Sequence, residues 1–215
     1  MQRIFLNLSR LRMGALISIM CVVVGCLPEL ERAAPEKRSY AIELERQTRE
    51  GPALFADLNL EVQRFQVERR FSDRPLVYRT GEVEYEADFY NEFLVAPGSN
   101  LEGEARRWLD DRGLFRAVLG SPSRLRARLL LETAVEALYG DFRDSPAAVL
   151  EMHVFLLTRN GEVLLDRRYA RRVPLESRSP EALVRGYGRA LEAVLGELEQ
   201  DIRSRREAIA ATGES

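Results

Sequence analysis

The sequence predicts an α+β fold: an antiparallel or mixed β-sheet with two helices packed on one face. Three observations lead there. Apolar and polar residues alternate over several stretches, the longest from Leu125 to Tyr139. An Asn160-Gly161 dipeptide between two such stretches signals a tight hairpin. Two segments, one after Pro97 and one after Ser179-Pro180, carry apolar residues at helical spacing. The order is strands, helix, strands, helix, with no internal repeat and no boundary for a second domain.

Arg38 to Leu44 reads as a short strand, followed by a polar loop that ends at Gly51-Pro52. In the next strand Ala56, Leu58, Leu60 and Val62 alternate with Asp57, Asn59, Glu61 and Gln63; the phase then slips at Gln63-Arg64, which predicts a bulge or a strand end. Residues 76–95 form a hairpin with Thr80-Gly81 at its turn. On its second arm Val83, Tyr85, Ala87, Phe89, Phe93 and Val95 face one way, while Glu82, Glu84, Glu86, Asp88 and Glu92 face the other. Pro97 ends the arm. A helix to Gly113 follows, capped by Ser99 or Asn100, with Glu102 and Glu104 near its positive end and Leu101, Ala105, Trp108 and Leu109 as its apolar stripe.

Residues 114–119 make another strand. Residues 124–139 have the composition of a helix, but the unbroken alternation decides for a strand. A type I′ turn at Asn160-Gly161 sets a register in which Met152 faces Tyr169, Leu156 faces Leu165 and His153 faces Arg168. Ser179 caps the final helix and Pro180 occupies its first turn, ahead of a stripe of Leu183, Tyr187, Leu191, Val194, Leu198 and Ile202. Gly186, Gly188 and Gly196 would let this helix lie close to the sheet. From about Arg206 the chain should fray.

The sequence is 215 residues long, with 46% hydrophobic and 31% charged residues, enough for one sizeable core. The net charge of -2 argues against nucleic acid as a main partner. Lys37 is the sole lysine, so the cationic surface is almost entirely arginine. Arg3, Arg10 and Arg12 precede an apolar run of about 12 residues, Met13 to Val24, well short of the roughly 20 that span a bilayer. This is the pattern of a secretory signal peptide. The run closes with Val23-Val24-Gly25-Cys26, which resembles a bacterial lipobox. Cleavage before Cys26 would make that residue the site of lipid attachment and remove Cys21, leaving no free thiol and no disulfide. It would also remove three arginines and no acid, taking the formal charge from -2 to -5. Leu27 stands where an aspartate would signal inner-membrane retention, so the expected location is the periplasmic face of the outer membrane.

Signals for catalysis are sparse. His153 is the one histidine, and no G-x-S-x-G elbow supplies a serine for it. The row Glu82, Glu84, Glu86, Asp88 spaces its carboxylates about 6.6 Å apart along a strand, too far to converge on one cation. No phosphate loop follows a strand. We therefore expect no enzyme activity, no cofactor and no metal site. Arg124, Arg126 and Arg128 repeat the spacing of the acidic row, so the two rows could pair across neighbouring strands or between subunits, or stand as unrelated solvated faces.

Residues 69–119 carry more than periodicity: Arg70-Phe71, Leu76-Val77-Tyr78-Arg79 in a strand, an aromatic-rich strand closing at Pro97, a helix ending in Trp108-Leu109, then Gly113, Phe115 and Val118. With the lipobox and the closing helix from Ser179 to Ile202, the order resembles the ABC-type transport auxiliary lipoprotein family, the PqiC-like components of MCE-type lipid-transport systems. Many members have a tryptophan before the proline where this chain reads EFLVAP. The resemblance implies a lipid-anchored, non-enzymatic part that docks to an MCE-domain protein and serves its ABC permease and ATPase; it also allows a homo-oligomer. Arg70, Tyr78 and Arg79 are then the candidate partner interface, serving as contacts or as structural pairing. The alternative is a structural or assembly-factor envelope lipoprotein. The expected layout is a signal peptide at 1–25, a tether at 26–37, the folded domain at 38–206 and a flexible tail at 207–215.

Overall fold

The computed structural model describes residues 36–45 and 51–213. The signal peptide, Cys26 and nearly all of the tether lie outside the described residues. Nine strands form one mixed sheet among them, and the helices complete an α+β fold.

The sheet is organised around its longest strand, β7 (Leu129–Asp141). On one side β7 pairs antiparallel with β8 (Ala147–Thr158), which pairs antiparallel with β9 (Val163–Pro174). Along its other side β7 takes three shorter strands in succession, all parallel to it: β2 (Phe55–Val62), β3 (Gln66–Val67) and β4 (Pro75–Arg79). β6 (Phe115–Gly120) flanks β2, β5 (Tyr85–Phe93) flanks β4, and β1 (Arg38–Tyr40) edges β5. The phase slip at Gln63-Arg64 is the break between β2 and β3. It lets one run of chain step along β7.

Helix α1 (Pro97–Asp111) lies against β6, and α2 (Pro180–Ser204) lies against β8 and β9. The expected stripes of both helices are buried. Arg112, just past α1, stacks 4.5 Å from the Trp108 ring and reaches Glu199 of α2 at 3.5 Å. Ser179 caps α2, its hydroxyl accepting from the Ala182 amide at 3.2 Å. Gly186 is where α2 comes closest to the sheet: a Cβ there would stand 2.8 Å from that of Ala148 and 2.5 Å from Leu175 Cδ2. Gly188 makes only an ordinary contact and Gly196 faces open space, so close approach uses one of the three glycines.

Several expectations are corrected. β1 stops at Tyr40, because the next backbone groups turn to α1: Asn100 Oδ1 accepts from the Ile42 amide at 2.7 Å, Asn100 Nδ2 donates to the Ile42 carbonyl at 2.9 Å, and Glu104 Oε2 accepts from Leu44 at 3.2 Å. Asn100 is thus a clamp inside α1. The helix begins at Pro97, with Ala96 before it and no side-chain cap. The strand expected over 124–139 begins only at Leu129, so Arg124, Arg126 and Arg128 belong to the connection from β6. They lie before the N-terminal end of β7, whereas β4 joins β7 at Gly140-Asp141 and the acidic residues sit beyond β4. β7 is thirteen residues long, so its ends stand about 41 Å apart at ~3.4 Å per step, and the two rows do not pair within the chain.

The β8–β9 register is the expected one at Met152–Tyr169, His153–Arg168 and Leu156–Leu165. The turn is not type I′. Only Gly161 has positive φ (89°), and the Thr158 amide donates to the Glu162 carbonyl at 2.9 Å, as in a type I turn with a glycine bulge. That shifts the first pair to Leu157–Val163, and an irregularity beside it restores the register. The tail expected to fray forms α3 (Arg206–Ala211) instead, with Ile209 fully buried.

Candidate docking surface

Arg70, Tyr78 and Arg79 meet at the β4–β5 end of the sheet, but only partly on one face. Consecutive strand residues point to opposite sides, so Tyr78 and Arg79 diverge. The Arg79 guanidinium lies 5.6 Å from the Tyr85 ring and donates to the Glu82 carbonyl. Arg70 approaches the same ring at 5.8 Å and that of Phe71 at 5.1 Å. Tyr85 in turn meets Tyr139 edge-on at 5.6 Å. Tyr78 stacks on Phe142 at 4.9 Å, and its hydroxyl donates to Asp88 Oδ2 at 2.7 Å. Burial, and then this hydrogen bond, push the Tyr78 phenol far above its ordinary value, so it remains a donor. Tyr78 and Arg79 are half-buried and committed to contacts within the fold; Arg70 is exposed.

Asp88 builds a feature that alternation does not reveal. Pro75 pairs with Glu92 and Val77 with Ala87, so Asp88 to Asn91 on β5 oppose Leu76 alone on β4. Asp88 Oδ1 accepts from the amides of Tyr90 (2.8 Å) and Asn91 (2.9 Å), while Oδ2 accepts from Tyr78 and from Asn91 Nδ2 (2.9 Å). Burial would raise this carboxyl, but those hydrogen bonds outweigh it and hold the group below its ordinary value. Phe89 and Tyr90 are thrown outward, 73% and 42% exposed, with their rings edge-on at 5.0 Å. Val83, at the hairpin tip, and Val95, past the strand, are exposed as well, so of the six residues expected to share an inward face only Phe93 is buried. Lys37 Nζ stands 5.4 Å from the Phe89 ring.

A second surface lies at the other end of β7. The loop from β6 carries Arg124, Leu125 and Arg126, and its backbone is held in place. Leu125 N donates to Ser123 Oγ (3.1 Å), Asn59 Nδ2 to the Arg126 carbonyl (3.2 Å) and Arg159 Nε to the Ala127 carbonyl (2.7 Å). Arg128 closes the end by donating to the carbonyls of Thr212 and Gly213 at 2.8 and 2.9 Å. Leu125 is 61% exposed. Two clefts of about 550 and 480 Å³ flank the loop and share Arg126 and Arg159. Arg159 is paired with Glu61 at 2.9 Å; among the described residues the Arg124 and Arg126 guanidiniums have no carboxylate partner. Neither Asp88 nor Leu125 was marked by sequence pattern. An Asx-type turn needs only one aspartate, and Leu125 fitted the alternation of β7 while lying outside it.

The charged groups elsewhere serve the fold. Asp141, 1% exposed, takes Arg143 through Nε (2.9 Å) and one terminal nitrogen (2.7 Å), and also takes Arg172. The Arg143 hydrogen bonds, then Arg172, hold its carboxyl far below the usual range against the opposing effect of burial. Along the open edge of β9, Arg167 pairs with Asp201 (3.3 Å), Arg168 with Glu136 and Arg171 with Glu197. His153 meets Asp166 at 2.5 Å and Glu136 at 3.9 Å and leans on Phe155. Two carboxylates position an imidazole but offer no nucleophile for it to activate. Among the described residues no helix is long and apolar enough to cross a membrane, and no three His, Cys, Asp or Glu side chains cluster as metal ligands would.

Comparison with known proteins agrees with this architecture. Protein XCC0632 from Xanthomonas campestris, of family DUF330, superposes with a TM-score of 0.70 at 19% identity, over 81% of this chain and 99% of that one. A second solved protein, described as uncharacterized, gives 0.64 at 16% identity over 78% and 99%. The PelC dodecamer from Paraburkholderia phytofirmans gives 0.40 at 17% identity over 68% and 92%, too distant to bear on assembly. These likenesses speak to the fold alone. A search of curated proteins gives no significant match. The model of the ABC-type transport auxiliary lipoprotein component family matches residues 40–199, from β1 to the last turns of α2. The chain therefore belongs to the ABC-type transport auxiliary lipoprotein family.

Proposed function

We propose that this chain is an outer-membrane-anchored periplasmic lipoprotein that serves an MCE/ABC-type inter-membrane lipid-transport system by docking to its MCE-domain protein, without catalysis of its own. The observation that carries the docking role is the Arg124-Leu125-Arg126 loop. It presents an exposed apolar side chain between two guanidiniums that lack a carboxylate partner among the described residues, on a backbone fixed by Asn59, Ser123 and Arg159. Arginine with an apolar knob is the composition of an interface centre, and the partner site it fits is an acidic rim around an apolar pocket. Arg70 is a secondary contact; Tyr78 and Arg79 shape the end of the sheet behind it. Anchoring rests on the lipobox at Val23–Cys26 and on Leu27 after it.

The test is copurification from solubilised envelopes. Tagged full-length protein should bring down the MCE-domain protein, and Arg124→Glu with Arg126→Glu should reduce the yield at least tenfold while the protein stays in the outer-membrane fraction. A wild-type preparation that brings down no such partner refutes the reading.

A further inference from the structure

We propose that Phe89 and Tyr90 are a second membrane contact, a pair of aromatic side chains that rest in the interface of a phosphatidylethanolamine-rich surface and orient the domain relative to its lipid anchor. This rests on the anchoring at Cys26 proposed above.

The pair is built to be exposed. Four side-chain and backbone hydrogen bonds to Asp88 hold the bulge that turns both rings outward, in a strand whose alternation would otherwise bury one of them. Bulges of this kind re-aim side chains. An exposed aromatic pair on a folded domain marks a place where something else is met.

Where the chain enters the fold selects the occupant. Lys37, the last residue before β1, stands over the Phe89 ring. Residues 27–36 separate it from Cys26, and eleven extended steps at ~3.4 Å each span about 37 Å. The rings are thus kept within a short tether of the bilayer. A tether that short holds its ends at millimolar effective concentration, so a contact too weak to bind alone becomes populated. Tyrosine and phenylalanine beside a lysine suit the head-group region. The exposed Glu86 next to the pair argues against attraction by anionic lipid, which is why a zwitterionic surface is specified. β1 and β5 both run antiparallel to β7, so Lys37 lies toward the C-terminal end of β7 and the Arg124–Arg126 loop at the other. With the rings on the membrane, that loop points into the periplasm.

Acylation leaves the mature chain without a free thiol, so one introduced cysteine can be labelled uniquely. Acylated protein carrying a polarity-sensitive fluorophore at Ala87→Cys, beside the intact pair, is placed on phosphatidylethanolamine-rich vesicles containing a nitroxide-labelled lipid. Quenching should be several-fold stronger than for the same label at Leu125→Cys and should fall to that level when Phe89→Ser and Tyr90→Ser are added. Equal quenching at the two positions, or quenching at 87 that survives loss of both rings, overturns the contact while leaving the anchor in place. Protein that does not remain on the vesicles overturns the anchor and the contact together.

Discussion

Adding one methyl group to α2 should have opposite effects at two glycines ten residues apart, and the structure supplies the reason. At Gly186 a Cβ would stand 2.8 Å from Ala148 Cβ and 2.5 Å from Leu175 Cδ2, against the roughly 3.5–4.0 Å of ordinary carbon contact. The leucine end can turn away. The alanine cannot, since Ala148 is fixed in β8 between Gly140 and Val173 of the neighbouring strands. The helix must therefore lift by about 1 Å, and overpacking of this kind costs about 1–3 kcal/mol. At Gly196 nothing lies within 4 Å, so alanine meets no obstacle. Both substitutions gain the same helix propensity, about 1 kcal/mol. That gain cancels in the difference between the two variants, leaving the clash, about 2 kcal/mol. For a domain of this size the difference corresponds to roughly 4–8 °C in Tm, with Gly196→Ala above wild type. Calorimetry on the two variants side by side measures it. If Gly186→Ala melts with or above Gly196→Ala, the close approach of α2 to β8 is wrong.

Asn100→Ala removes both bonds to Ile42 and strands a buried amide and carbonyl, so urea unfolding should show a loss of about 2–4 kcal/mol. A loss under about 0.5 kcal/mol would contradict the clamp. The folded-state value of Asp141 lies below its unfolded value of about 3.9, so its contribution is complete above that pH and disappears as pH falls through the lower, folded value. Wild-type Tm should therefore drop on acidification more steeply than that of Asp141→Asn, which starts about 2 kcal/mol less stable at neutral pH. Parallel curves for the two proteins would rule the mechanism out.

Alternation was a faithful guide where a long strand has one buried face, as in β7 and β8, and Ser179-Pro180 marked a helix start because cap chemistry is local. It misled where tertiary partners change the rule. β5 alternates in sequence, but Asp88 inserts a bulge that turns Phe89 outward beside Tyr90. Residues 124–128 continue the pattern of β7 with no strand beside them to pair with. Residues 41–44 look extended, and their hydrogen bonds go to side chains of α1 that no strand pattern contains. Of the candidate interface, Arg70 is exposed while its guanidinium lies over Phe71 and Tyr85, and Tyr78 and Arg79 are occupied by Asp88, Phe142 and Tyr85. Those partners come from other elements, so a single run of sequence could not show them.

The dependence of β2, β3 and β4 on one later strand sets an order of events. Leu60 meets Leu129, Val67 meets Val135 and Arg79 meets Asp141, each across about 60–70 residues of chain. β7, β8 and β9, in contrast, are joined by short hairpin turns and can pair as soon as they exist. A chain made from its N-terminus presents the first three partners of β7 well before β7 itself. Until Asp141 has emerged, β2 with β6 and β4 with β5 can form only separate strand pairs, without the strand that joins them, and stay open to proteases and holding chaperones. Truncations ending anywhere before β8 should be degraded rather than accumulate as a smaller folded domain.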